Sequence, residues 1–539
     1  CGRCRLGGMV SEFGDLMTQA GEDGSVDHRG EALPTLTKAS SKIRLDALMS
    51  VPQPRWDRAI PGSPLWTKTA FVLLRIVARG QFKTMTHEGL QGLDHDRGAM
   101  CCAWHVNALM DPLAIMLTHP SHFVIGGRHD LVTRPILSFW TRRMAVQPVV
   151  RKAELLRGGF SKEEAQNLNG RTLLNLARGI SYGHGSALFP EGTAHDEAHP
   201  IRMRTGPMRT VLAAAAIAHV EGRPLPHLVP VGLHFRVRHH FRTDAHVEYG
   251  TPIPVVLDDI PEDLLAAVKR NDWSEPPAEA VTALRDALTP TLRRLTPDVV
   301  DWDERRALHT LAHVRARSEK RALPDWRSEV MAARAERDAL RPEGDRDLET
   351  IVPEPLVSPA LEAADAVARR LEAHGLDGRD LNEQASGLRR NSPVSFAGSV
   401  LRMAQFLPLL PVFLLSMGVQ STLGLVKGNS TDEGVDARTT YHFVFALFAS
   451  MIVWPIVSGG LAATSYAMGW LDETGMPELA AGLMFVLLFP VFGLSGWSFA
   501  SAWDGWVVLR GGLRRSRLRR RHGAVLAEEL QAIHVALAD

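Results

Sequence analysis

Cysteine is scarce: the chain has four in 539 residues. That excludes a disulfide-stapled scaffold, which packs many paired cysteines into a short chain. Cys1 and Cys4 form a lone CxxC with no second pair to complete a zinc site. Cys101 and Cys102 lie side by side in an apolar, strand-like run, so they point to opposite faces and read as packing residues. An excess of one charge is also missing. The 61 Lys and Arg against 60 Asp and Glu leave a net charge of +1, which argues against nucleic-acid binding over the whole surface. The first 40 residues have no apolar core segment, so no signal peptide is expected, and Met9 or Met17 is a candidate start. No internal repeat is visible.

What is present is unevenly spread. Hydrophobic residues make up 45% and charged residues 22%, ordinary globular values, but the length calls for two or three units. Residues 1–60 read as a poorly structured lead-in. The stretch 65–79, "LWTKTAFVLLRIVAR", suits either an interfacial amphipathic helix or an ordinary core-packed one. Between about 80 and 256, β-like runs ("FKTMTH", "AMCCAW", "HFVIGG", "AVQPVV", "GSALF", "HLVPVGLHF", "AHVEYG") alternate with helix-like stretches such as "SKEEAQNLNGRTLLNLARG" and "GPMRTVLAAAAIAHVEG". That alternation predicts an α/β domain over 61–256, a sheet flanked by helices. Residues 257–395 are rich in Arg, Glu and Ala with proline-containing breaks, and read as a helical accessory region whose charges are mostly solvated.

From 396 to 510 the chain reads as a membrane domain. Residues 403–426, 439–471 and 479–503 carry no Asp, Glu, Lys or Arg. Each covers a hydrocarbon core of about 30 Å, which needs roughly 20 helical residues. Arg389, Arg390 and Arg402 precede the first segment, and a basic tail, 511–539, follows the third. Both flanks belong on the cytoplasmic side by the positive-inside tendency, whereas the acidic loop "LDETGMPE" (471–478) suits the far side. Three crossings cannot satisfy that. The preferred arrangement is a hairpin of segments two and three with segment one re-entrant or interfacial, where Pro408 and Pro411 would break a straight helix. Three full crossings remain the alternative.

Two motifs carry chemistry. In "AWHVNALMDPLAI" (103–115), His105 and Asp111 are six residues apart, which is about 600° of helical rotation, so they cannot share a helix face. A strand ending before His105, a loop, and a helix starting with Asp111 at its N-cap and Pro112 in its first position would let the loop bring the two together. A carboxylate on one ring nitrogen leaves the other free as a base. The other reading is a plain capping Asp beside a loop His. In "LFPEGTAHDE" (188–197), Glu191 at a strand end is placed to accept hydrogen bonds from substrate hydroxyls, and Gly192 lets backbone approach closely, although alone the motif also fits a structural turn. His195, His199, His239 and His240 lack ligand spacing, so they read as solvated or packing residues and no metal is expected.

Together these motifs resemble the glycerolipid acyltransferase family, the PlsC-like group. The family's usual His-x4-Asp is here His-x5-Asp. His105, Asn107, Asp111 and Pro112 fit the HxNxxxDP form of its glycerol-3-phosphate and dihydroxyacetone-phosphate branch. "GGRHDLV" (126–132), "AVQPVVRK", "RMRTGPMR" and "LVPVGLHF" follow in the family's order. One departure is Ala194, where a Ser usually follows FPEGT. The resemblance implies a PlsC-like mixed sheet flanked by helices. It implies an O-acyltransferase of phospholipid synthesis that moves an acyl group from acyl-CoA or acyl-ACP to glycerol 3-phosphate, its keto analogue or 1-acylglycerol 3-phosphate, with no cofactor beyond that thioester. His105 is then the general base and Asp111 its orienting partner. Glu191, Gly192, Thr193, Arg151, Arg204, Arg128 and Arg209 bind substrate, because the planar guanidinium fork suits a phosphate. The implied partners are membrane lipids, the acyl donor and a phosphorylated glycerol acceptor, not nucleic acid. The implied location is the cell membrane, as an integral protein with the catalytic domain on the cytoplasmic side. The competing readings are a lipid-binding or scaffold member of the same fold with altered catalysis, and a membrane-tethered hydrolase, against which stands the lack of a G-x-S-x-G elbow beside the pair.

Overall fold

The computed structural model describes residues 44–94, 96–150, 162–256, 260–341, 346–430 and 435–538. Its centre is a mixed sheet. β1 (Phe82–Glu88), β2 (Ala99–Ala103), β5 (Gly185–Leu188), β6 (His227–Phe235) and β7 (Thr243–Tyr249) lie in the order β1-β7-β6-β2-β5, and β8 (Ile253–Pro254) also pairs with β6. β2 runs parallel to β5 and β6, and β1 parallel to β7, whereas β6 and β7 are antiparallel. β3 (Gly126–Arg128) and β4 (Gln147–Val149) make a small parallel pair alongside.

Side-chain alternation along β2 assigns the two faces. Ala99, Cys101 and Ala103 join a core with α2 (Pro64–Gln81) and α3 (Met110–Thr118), while Met100 and Cys102 join another with α5 (Lys162–Ser181), α6 (Gly206–Val220), α7 (Glu262–Arg270) and α8 (Ala278–Leu295). The adjacent cysteines are thus packing residues on opposite faces, and burial pushes the Cys101 thiol up to about 12. In α2, Thr67, Ala70, Phe71 and Ala78 are buried while Leu65, Val72 and Ile76 are 70%, 53% and 51% exposed, so the helix has both an inward face and an outward apolar face.

The described part of the lead-in is ordered, contrary to the expectation for 1–60; residues 1–43 lie outside the described residues. α1 (Leu45–Met49) packs Leu48 and Val51 against Val132, Val146, Val150 and Leu168. Arg142, at the end of α4 (Pro135–Arg143), and Arg171 donate to its carbonyls.

The accessory region is helical: α9 (Trp302–Ser318), α10 (Trp326–Leu340) and α11 (Pro359–Ala373) follow α8. The basic tail is not a separate element. It continues a helix begun at Pro477, with non-helical backbone at His522, and buries Leu518, Leu526, Leu530 and Ile533 in a core shared with α9 and α11. The hydrophobic period through the arginines explains this, since those leucines lie on one helix face while the charges occupy the others.

Among the described residues, three helical runs are long and apolar enough to cross a membrane: Pro393–Asn429, Arg438–Ala467 and Pro477–Ala538. The second and third are antiparallel neighbours, with Trp454 beside Phe489 and Phe492 and Ser458 Oγ donating to the Phe485 carbonyl. Pro408 and Pro411 do not break the first run. Pro408 lies in a 3₁₀ turn at Leu407–Leu409 and Pro411 in the α-helical turn Leu410–Phe413, ahead of a π-helical turn at Leu414–Gly418. Residues flanking this run bond to the third run and to the α/β domain. Near its start, Asn391 donates to the Gly512 carbonyl and accepts from Arg515, which also pairs with Asp380. At the start of the second run, Thr439 and Thr440 bond to loops of the α/β domain.

Candidate active site

β2, an interior strand of the sheet, delivers the chain to His105 just past its end. Trp104 is pinned by its Nε1 donating to the Leu233 carbonyl (3.0 Å), and the chain then leaves the sheet in a tight turn through Ala108, whose φ is +38°. Met110 N bonds back to Asn107 O and starts α3. Asp111 is therefore inside the first helical turn and is not the N-cap residue expected from the sequence. Its carboxylate points back into the loop. Oδ2 accepts from Val106 N (2.8 Å), Asn107 N (2.7 Å) and His105 Nδ1 (2.8 Å). The six-residue spacing works because one buried oxygen gathers three donors of one loop. With Nδ1 committed, His105 Nε2 has no protein partner among the described residues. The ring stacks on Phe189 at 4.1 Å, and its side chain is 19% exposed against 0% for Asp111.

The second motif sits directly beside the first. After β5, Gly192 closes a turn onto Phe189 O with φ +75°. Glu191 is fully buried. Oε2 accepts the His105 backbone N–H at 2.5 Å and lies 3.0 Å from His195 Nε2, and Oε1 accepts from Ile201 N at 3.0 Å. This differs from the expected carboxylate open to a substrate hydroxyl: Glu191 is a strut that fixes the backbone carrying the imidazole. Thr193 Oγ1 donates to its neighbour's carbonyl, Ala194 O.

Of the arginines singled out by sequence, the structure brings Arg204 to this site. Its N–H donates to Pro190 O and its Nε to Glu191 O, and the residue is exposed. Arg128 forms a two-pronged pair with buried Asp130 (2.7 and 2.9 Å), which Arg134 also contacts. Burial raises the Asp130 carboxyl, but these two cations outweigh it and hold the pKa below the ordinary value. Arg209 pairs with Glu275 at 3.0 Å, so both it and Arg128 hold structural partners in place of an open phosphate seat. Arg151 lies outside the described residues.

Sequence reasoning missed several site residues. His195 is buried and donates its backbone N–H to His105 O (2.9 Å). Burial pulls its imidazole down, yet the charge of Glu191, helped by Glu197, prevails and raises its pKa. Arg238, on the β6–β7 loop, donates to Val106 O (2.9 Å) and His195 O (3.3 Å), pairs with Asp196 and lies over the Trp302 ring. Thr440 accepts from Leu109 N (3.1 Å) and Thr439 donates to Arg238 O (2.8 Å), so the second membrane-competent run touches the loop that carries His105 and Asp111. These contacts join positions up to 331 residues apart, for which a single sequence holds no local signal. The other singled-out histidines are packing groups: His199 bonds Val299 O, while burial and the neighbouring His240 depress His239 to about 3.

"GISYG" (179–183) matches a G-x-S-x-G pattern by letter but ends helix α5 and leads toward strand β5, the reverse of a strand-to-helix nucleophile elbow. Ser181 is 3% exposed and donates to Arg178 O.

No family model matches the chain. A stretch of 162 residues is 25% identical to glycerol-3-phosphate O-acyltransferase 1 of Saccharomyces cerevisiae, covering 30% of this chain and 20% of that protein. A stretch of 153 residues is 28% identical to glycerol-3-phosphate O-acyltransferase 2 of the same yeast, covering 28% and 19%. Over these stretches the chain is similar to glycerolipid acyltransferases. It spans about a fifth of the length of these curated relatives. The crystal structure of the 1-acyl-sn-glycerophosphate acyltransferase PlsC from Thermotoga maritima aligns over 38% of this chain and 82% of that one, at 16% identity and a TM-score of 0.25.

Gly192 gives a direct test of this geometry. A Cβ there would lie 2.7 Å from Arg204 Cδ and 2.9 Å from its Nε, on backbone that disfavours side chains. Gly192→Ala is expected to displace Arg204 and destabilise the turn by about 1–2 kcal/mol. Thermal melting in detergent should register the lost stability.

Proposed function

We propose that this protein is a membrane-bound O-acyltransferase that moves a fatty acyl group from a thioester to the hydroxyl of glycerol 3-phosphate or 1-acylglycerol 3-phosphate. One observation carries the reading: an imidazole fixed by a buried carboxylate through Nδ1, with Nε2 open, on a loop tied to the FPEG turn. A thioester is already activated, so one proton transfer suffices. The acceptor oxygen attacks the thioester carbonyl, its proton passes to His105 Nε2, and the thiolate leaves and takes up that proton. Asp111 holds the ring and balances the imidazolium charge that develops. Arg204 is the phosphate clamp, with Arg151 a further candidate by resemblance.

The location follows the same reading: an integral protein of the cell membrane with the α/β domain on the cytoplasmic face. Arg389, Arg390, Arg402 and the 510–521 arginines flank the apolar segments, and the acidic 471–478 loop joins the second and third; that charge bias supports this orientation. The acyl-thioester donor arrives from the aqueous side and the acylated product leaves into lipid.

The test is transfer of labelled acyl-CoA or acyl-ACP to each acceptor separately by purified protein in lipid. Transfer to none of them overturns the reading. Arg204→Ala is expected to raise KM for the phosphorylated acceptor about 10- to 100-fold, the worth of one charge-assisted contact, with little change in donor KM. Arg204→Lys should restore part of the loss, because charge returns without the planar fork.

A further inference from the structure

A groove of about 500 Å³ runs between the start of the first membrane-competent run and the third, lined by Val400, Met403, Leu407, Phe499, Trp503 and Trp506 among other apolar residues. The volume lies within the range of ordinary ligand sites. Its deep end is aromatic, with Phe499 stacked on Phe413 at 4.4 Å and edge-on to Phe406. Its outer end is cationic. Arg402 packs beside Gly505, and Arg510 lies one turn beyond Trp506. Both arginines are exposed, and neither has an ion-pair partner among the described residues. Asp504, next to Gly505, is neutralised by a two-pronged pair with Arg242 (3.1 and 2.6 Å).

The groove is also joined to the active site. Phe241 packs on Phe499 and Trp503, both at 6.0 Å, from the same β6–β7 loop whose Arg238 bonds the carbonyls of Val106 and His195. The loop that braces His105 thus also borders the groove.

We propose that this groove is a binding site for an acylated glycerol phosphate, the lipid the neighbouring site releases. Its tail lies along Leu407, Phe499 and Trp503, and its phosphate sits between Arg402 and Arg510. An apolar trough in membrane-embedded helices is filled by hydrocarbon in any case. The two unpaired arginines at one end select a phosphate head, and the Phe241 contact places that lipid at the exit of the chemistry. This assignment rests on the proposed reaction for the identity of the lipid.

The experiment uses full-length His105→Ala protein in nanodiscs, so that no turnover consumes the probe. A photoactivatable acyl glycerol phosphate is compared with a phosphocholine lipid of the same tail, and the labelled peptides are mapped. The expected result is preferential labelling of 400–410 and 499–509 by the phosphate lipid. Arg402→Ala and Arg510→Ala should each reduce that preference about fivefold. Leu407→Trp, at a position already 63% exposed and so tolerant of a larger ring, should block labelling, whereas Val486→Trp on the exposed face outside the groove should not. Equal labelling by the two lipids, or labelling indifferent to Leu407→Trp, overturns the proposal and makes the groove a seat for bulk lipid. Wild-type protein assayed in parallel separates the two readings. Selective labelling without any transfer overturns the reaction and leaves a phosphate-lipid site, while transfer without selective labelling overturns the site alone.

Discussion

His105→Ala is expected to lower acyl transfer by about 10²- to 10⁴-fold, the usual worth of a positioned general base. The fold should survive. The side chain makes one hydrogen bond, to Asp111, and one stacking contact, to Phe189. The structural bonds of this residue run through its backbone, to Glu191 and His195, and an alanine keeps them. Asp111→Asn separates positioning from chemistry. The asparagine carbonyl can still accept from Val106 N and Asn107 N, so the loop keeps its shape, but the charge that stabilises an imidazolium is gone. Its kcat should fall toward that of His105→Ala with acceptor KM little changed. The double variant should be no worse than His105→Ala alone, because the two side chains act as one unit. A fully active His105→Ala enzyme, or strictly additive losses, would refute the paired role.

Much of this architecture was legible along the chain because it is written in short-range periodicity. "AMCCAW" and "HLVPVGLHF" are apolar runs of strand length, and they became β2 and β6 at the sheet's centre. "GPMRTVLAAAAIAHVEG" opened with Gly-Pro and ran as α6. What periodicity cannot encode is which carboxylate meets which donor. Asp111-Pro112 looked like an N-cap because Asp and Pro favour that place, yet a turn at Ala108 moved the helix start upstream and freed the carboxylate to reach back. Glu191 looked like a substrate ligand because its three donors come from positions 105, 195 and 201, one of them far away in sequence. Arg128 and Arg209 had the right charge for a phosphate clamp, and only the folded chain reveals Asp130 and Glu275 beside them. The arginine-rich end read as a tail because its charges are dense, while the leucines between them built a core.

Glu191→Gln is the most informative change at the junction of the two motifs. The carboxylate has 0% side-chain exposure and faces donors on both oxygens: His105 N and His195 Nε2 on one, Ile201 N on the other. A glutamine has one acceptor oxygen, and its amide nitrogen must face an N–H that it cannot accept. Leaving buried donors unpaired and removing the negative charge beside His195 costs about 3–5 kcal/mol. Amide exchange at His105 and Ile201 should accelerate, and on the proposed reaction transfer activity should fall with it, because the first of those amides belongs to the residue proposed as the base. The pH dependence has a definite sign. His195 has a raised folded-state pKa, so its pairing with Glu191 stabilises fully below the ordinary imidazole value of about 6.5 and is lost as pH climbs through the raised value. The stability gap between wild type and Glu191→Gln should therefore be widest in acid and narrow with rising pH. A gap that widens with pH would mean that Glu191 does not hold His195 charged, and would leave the hydrogen bond to His105 N as the strut's main role.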